Sequence, residues 1–169
     1  MAEKLYLSEA EVAELWKQRF FEAQAGMEKF LVEKYGYTAI DEWIQRNAEV
    51  FRDIQDNSNP GAAGLIERIA KQAECYKSDY SIEQLDSSCA SMTIFHCGIW
   101  DYRERARQRG VKLTFDSPCT RYCTKLTTAL IESKGYQASH ELTEVGPHHG
   151  CRWKVTSKST LRDDVNTND

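Results

Sequence analysis

The spacing of apolar residues changes once along this chain, near residue 76, and that switch restricts the fold more than any other feature. Before it, apolar side chains recur every three or four residues, the period of a helix with one buried face. Val12, Trp16, Phe20, Ala23, Met27 and Phe30 follow at steps of four, four, three, four and three, which predicts a long first helix with this stripe in the core. Gly36 can stop it, because glycine accepts the left-handed conformation that closes a helix. Thr38 can cap a second helix with Ile40, Trp43, Ile44, Phe51 and Ile54 facing inward, broken at Asp56-Asn57-Ser58-Asn59-Pro60-Gly61. A third, shorter helix turns Leu65, Ile66, Ile69 and Ala73 inward.

Past the switch the pattern turns to strands. Tyr76 to Leu85 and Cys89 to Phe95 read as two strands joined at Asp86-Ser87-Ser88. A helix from Gly98 to Arg109 ends at Gly110, a short extended stretch alternates from Val111 to Phe115, and a further helix runs from near Pro118 to about Ser133. Tyr136 to Glu144 and Cys151 to Thr156 form a hairpin across Gly146-Pro147-His148-His149-Gly150. Helices first, then a mainly antiparallel sheet crossed by two helices, make an α+β domain. A chain of 169 residues supports one core: a helical part over about 8–76, a sheet part over about 77–156, and a polar tail over 157–169.

Lys and Arg total 22 against 26 Asp and Glu, a net charge of −4. This weakly acidic, well-mixed balance gives no basic footprint for nucleic acid. No apolar run reaches the ~20 residues a membrane span needs. Met1-Ala2-Glu3-Lys4 lacks the basic start and apolar core of a secretory leader. The expectation is a cytoplasmic protein with a small-molecule substrate, no nucleic-acid or membrane partner, and homo-oligomerisation left open. Cytoplasmic thiols stay reduced, so Cys75, Cys89, Cys97, Cys119, Cys123 and Cys151 need a role other than a disulfide framework.

The most informative run is Asp116-Ser117-Pro118-Cys119-Thr120-Arg121-Tyr122-Cys123. Ser117 suits a helix cap and Pro118 the first helical position, where its missing N–H costs nothing. Cys119 then sits in the first turn, where free N–H groups and the helix dipole favour a reactive thiolate. The plainer reading is a small buried side chain at a tight helix start. Arg121 can clamp a substrate carboxylate through a bidentate fork. Cys123 lies one turn on, at a Cβ separation of roughly 5–6 Å, beyond the roughly 3.5–4.5 Å of a disulfide. The two thiols can ligate one ion or line one pocket. The chemistry requires no cofactor, and a zinc ion on Cys97, Cys119 and Cys123 is the metal alternative.

His96-Cys97-Gly98 falls where a strand hands over to a helix, with Trp100 and Asp101 one turn later. Such junctions lie at sheet edges, where small-molecule sites form. His96 can act as a general base oriented by Asp101, or simply bond to backbone, and Trp100 can contact substrate. Cys151, Trp153 and Val155 share one face of the last strand, so Cys151 reads as core. His148 and His149 read as a solvated hairpin tip, Cys75 and Cys89 as packing, and Glu141 and Glu144 as a solvated face.

Taken together, His96-Cys97 followed by Asp101, a cysteine at Cys119, a strand with Thr143, and Gly150-Cys151-Arg152-Trp153 resemble the L-2-amino-thiazoline-4-carboxylate hydrolase family. Glu33-Lys34-Tyr35-Gly36, between two amphipathic helices, is similar to that family's helical lead-in, so the likeness spans about residues 10–156. The final Gly-Cys-aromatic hairpin also resembles 4-vinyl-reductase-type ligand-binding domains. Cys123 and the Gly146-Pro147-His148-His149 turn depart from the hydrolase pattern. The resemblance implies hydrolytic opening of a small ring containing a C–N bond, with Cys119, Cys97, His96 and Asp101 catalytic and Arg121, Trp100 and Cys123 on the substrate. A different class stays open beside it: a non-catalytic sensor that holds a small ligand or metal, or an accessory subunit of a larger enzyme.

Overall fold

The computed structural model describes residues 6–54, 61–115, 117–145 and 148–158, apart from the side chains of Ile54 and Val145. The fold is α+β, with three helices ahead of a four-stranded antiparallel sheet. They are α1 (Glu9–Tyr35), α2 (Thr38–Ile54) and α3 (Gly61–Cys75), followed by β1 (Asp79–Leu85), β2 (Cys89–His96) and α4 (Gly98–Gln108). A π-helical turn (Cys119–Cys123) then leads into α5 (Thr124–Ser133), β3 (Tyr136–Val145) and β4 (His148–Ser157). The strand order is β1-β2-β4-β3. The last hairpin is tighter than its glycines suggest, because β4 already begins at His148 and pairs it with Val145. From Val111 to Phe115 no strand forms, although Phe115 is buried. The helix break at residues 56–60, Asp116, the turn residues 146–147 and the tail from residue 159 lie outside the described residues.

Two apolar clusters hold these elements together. One joins α3 (Leu65, Ile66, Ile69, Ala73) to the sheet through Met92, Ile94, Trp153 and Val155, with Cys97 and Cys151 packed against it. The other joins α2 to the π turn and α5 through Ile40, Ile44, Tyr122 and Ala129, with Cys123 packed against it. Local chemistry sets the junctions. The first N–H groups of α3 are met by the carbonyls of Ser87 and Asp86. The Asp86 carboxylate accepts from the N–H groups of Ser88 and Cys89, which closes the β1–β2 turn.

Helix α1 starts and stops where the sequence places it. The Ser8 hydroxyl accepts from the Glu11 N–H while the Glu11 carboxylate returns to the Ser8 N–H, a capping box. Gly36 ends the helix at φ +81. Its orientation, however, reverses the expectation. Trp16 is 73% exposed, Phe20 47% and Phe30 54%, and Val12 is exposed as well. The other face turns inward, carrying Phe21 and Glu28.

The cause is polar and aromatic. Arg103 of α4 donates to both carboxylate oxygens of Glu28, at 3.3 and 3.0 Å, and Gln24 adds a third donor at 3.1 Å. Phe21 stacks on Tyr102 at 4.1 Å and lies 5.6 Å from Tyr76. A carboxylate with no exposure cannot be left without its cation, and this pair fixes the rotation of α1 against its longer apolar stripe. Replacing Arg103 by Met alone should therefore lower stability by about 3–5 kcal/mol. Combining it with Glu28→Leu should recover most of that loss, as read from urea unfolding of the two variants.

Candidate functional site

Four cysteines from three separate stretches of the sequence line one cavity. Cys97, Cys119, Cys123 and Cys151 share its wall with Tyr76, Ile94, Thr127, Leu142, His149 and Trp153, around about 70 Å³. Each thiol arrives by a separate structural reason. Cys97 closes β2 and caps α4. The Gly98 N–H donates to the Ser78 hydroxyl at 2.9 Å. A Cβ on Gly98 would lie 2.0 Å from the Tyr76 carbonyl oxygen, so only glycine lets the start of α4 approach so closely. Cys151 follows Gly150, where a Cβ would lie 2.0 Å from the Ile94 carbonyl oxygen. Cys151 is the register partner of Ile94, and its sulfur accepts from the Trp153 indole N–H at 3.2 Å.

Cys119 and Cys123 come from the π turn. The N–H of Thr124 reaches back five residues to the Cys119 carbonyl, and its hydroxyl donates to the same oxygen at 2.6 Å. Widening the first turn in this way puts both thiols on the cavity, while Tyr122 turns to the second core cluster and stacks on Trp43 at 4.9 Å. π turns of this kind are frequent at functional sites.

The electrostatics differ from the expected helix-start thiolate. Burial pushes the Cys119 thiol up to about 11, with the Ser117 hydroxyl and the Arg103 charge opposing weakly. Burial likewise raises Cys151 to about 12 and places Cys123 well above the ordinary range. Cys97 is raised by burial too, but the backbone N–H groups of Ile99 and Trp100 favour its thiolate. They do so without closing a regular capping hydrogen bond. The helix-terminal environment expected for Cys119 thus belongs to Cys97.

The other anticipated residues, His96, Trp100, Asp101 and Arg121, all stay outside the cavity wall. His96 bridges two carboxylates, with Nε2 at 2.6 Å from Asp101 and Nδ1 at 3.3 Å from Asp79. That group ties the end of β2 to β1 and α4 beside the wall. Arg121 is exposed and lies over the Tyr37 ring at 5.2 Å, away from any cavity clamp. Trp100 serves indirectly: it stacks on His149 at 3.7 Å.

His149 is the wall residue that sequence reasoning missed. Its Nδ1 lies 3.4 Å from a Glu144 carboxylate oxygen, and its carbonyl accepts from the Cys97 N–H at 2.8 Å. The available signal was the His-Gly-Cys order, since a strand that already included His149 would hold it two residues from Cys151, on the same face. Among the described residues no three His, Cys, Asp or Glu side chains are grouped to hold a metal ion, so the Cys97, Cys119 and Cys123 zinc set is not assembled. No described helix is long and apolar enough to cross a membrane.

No protein-family model and no curated protein matches this sequence.

Two measurements follow from the buried thiols. At neutral pH iodoacetamide should label Cys75, the exposed thiol, well before Cys97, Cys119, Cys123 or Cys151, as read by peptide mass spectrometry. Stability should also fall as pH rises. From the ordinary thiol value of 9.0 towards about 11, an unfolded chain releases the Cys119 proton and the folded chain keeps it. Below that window the thiol is protonated in both states and contributes no slope. Urea unfolding between pH 9.0 and about 11 should show a shallower decline in a Cys119→Ala, Cys151→Ala variant.

Proposed function

We propose that this chain is a hydrolase-like enzyme that opens a C–N bond of a small cyclic nitrogen-containing substrate, in line with its resemblance to the L-2-amino-thiazoline-4-carboxylate hydrolase family. The observation that carries this reading is the convergence of Cys97, Cys119, Cys123, Cys151 and His149 on one cavity. Cys97 is the nucleophile of choice, because the N–H groups of Ile99 and Trp100 stabilise charge developing on its sulfur. His149 is the acid–base partner, oriented by Glu144 and by the Trp100 stack.

In this reading the sulfur of Cys97 adds to the electrophilic ring carbon while its proton passes through His149 to the ring nitrogen. The C–N bond then breaks, and the nitrogen leaves as an amine within the same molecule. Water adds to the resulting thioester-like carbon, giving its proton to His149. The C–S bond breaks and the sulfur takes that proton back, so the net change is uptake of one water. Cys119, Cys123 and Cys151 stay neutral and form the apolar floor. His96 and Asp101 position the Cys97 backbone, and the exposed Arg121 has no clamp role here.

A second reading has its own support. The wall is mostly apolar and burial holds its thiols neutral. Those features suit a ligand-binding module. A panel of five-membered cyclic imides, ureides and thiazolines separates the two. Hydrolysis should be seen for at least one, and Cys97→Ser should reduce it by at least roughly a thousandfold with an unchanged circular dichroism spectrum. Full activity in Cys97→Ser would remove the nucleophile. Saturable binding without turnover of any compound would favour the module.

A further inference from the structure

Among the described residues that wall the cysteine-lined cavity none is Lys or Arg. Arg121, the clamp that the sequence offers for a carboxylate, lies over the Tyr37 ring instead. Arg103 is close enough to act on Cys119 and Cys123, but it is not part of the wall. Both of its terminal nitrogens are held by the Glu28 carboxylate, at 3.3 and 3.0 Å, so its charge is already met. Its Nε, buried and without a hydrogen-bond partner among the described residues, adds no donor to the wall. His149 is the wall's imidazole, and its Nδ1 already lies 3.4 Å from Glu144.

Negative charge is present instead. Glu144 stands behind His149, and Asp101 is near enough to oppose a thiolate on Cys97. The ring-opening reaction itself builds negative charge on the Cys97 sulfur. A carboxylate brought into this apolar enclosure therefore loses its water, finds no free cation and meets charge of its own sign. An uncharged amide fits the same wall. Ser78 and Thr124 are committed, Ser78 accepting from the Gly98 N–H at 2.9 Å and Thr124 donating to the Cys119 carbonyl at 2.6 Å. Gln72 of α3 and Thr127 of α5 remain to present an amide and a hydroxyl, which can donate to a ring C=O and accept from a ring N–H.

We propose that the cavity selects an uncharged ring amide or ureide and excludes rings that carry a carboxylate. The proposal takes the ring and its C–N bond from the hydrolase reading and rests on it. What it adds is the charge state, which separates this chain's substrate from a thiazoline carboxylate.

Matched pairs test it on the full chain: the acetamide and acetate derivatives of hydantoin, and the carboxamide and carboxylate of oxothiazolidine. Each pair keeps nearly one shape and differs in charge. In ligand-observed NMR titrations at neutral pH at least one of the amides should bind. Its carboxylate should bind at least roughly a hundredfold more weakly. Leu142→Arg puts a guanidinium on the wall at a position already 41% exposed, and should strengthen carboxylate binding at least roughly tenfold. The wild-type comparison decides the matter whether or not that variant folds. A carboxylate that binds as tightly as its amide would overturn the proposal while leaving the hydrolase reading in place. Failure of both amides to bind would overturn it too, as would a folded Leu142→Arg protein with unchanged carboxylate binding. Amide binding without ring opening would remove the hydrolase reading and uphold the charge selection.

Discussion

Two places where backbone meets backbone set the geometry of this protein. At Gly98 the start of α4 presses on the Tyr76 carbonyl, and at Gly150 strand β4 presses on the Ile94 carbonyl, each so closely that a Cβ would sit 2.0 Å from an oxygen. Each glycine stands beside a cysteine. Any other residue would push the strand or helix outward and carry that sulfur with it. The cavity exists because both approaches hold at once, with the π turn supplying Cys119 and Cys123 from a third direction.

Around that cavity charge is sorted with little overlap. Thiols and apolar side chains face inward, where burial keeps protons on sulfur. The carboxylates of Asp79, Asp101 and Glu144 stay outside and act through imidazoles. His149 alone belongs to both sets, since it lines the wall and meets Glu144. A second polar device, the buried Glu28–Arg103 pair, works at longer range by rotating α1. It turns the helix so that aromatic residues with every reason to be inside remain exposed.

Much of the fold was legible in the residues. The change of apolar period marked where helices yield to sheet, Gly36 and Gly110 marked helix ends, and the faces of α2 and α3 turned inward as their spacing requires. The face of α1 was not legible, because periodicity identifies an apolar stripe without saying whether its partner lies in the same chain. A buried pair separated by 75 residues leaves no trace in local spacing. For the site, the sequence singled out Cys97, Cys119 and Cys123, which do line one cavity, but read the fourth lining thiol, Cys151, as core and assigned Cys119 a different microenvironment. Cys119 follows a serine and a proline that suit a helix start, but the turn opens at Pro118 without a side-chain cap and burial dominates the thiol. Cys97 has an unremarkable local sequence and receives the N–H groups. Arg121 was chosen by proximity in sequence and turns to Tyr37 instead, whereas His96 does meet Asp101 as its spacing suggests, with Asp79 on its other nitrogen. His149 was passed over because two glycines and a proline disguised the start of β4.

The central claim is spatial, that sulfur atoms from three separate segments surround one cavity. Long-wavelength anomalous diffraction from native crystals locates every ordered sulfur without labelling. The account requires the peaks of Cys97, Cys119, Cys123 and Cys151 to ring a single cavity with the His149 imidazole on its wall. Peaks for Cys97 and Cys119 on opposite sides of the sheet would contradict it, as would a solid apolar core between them.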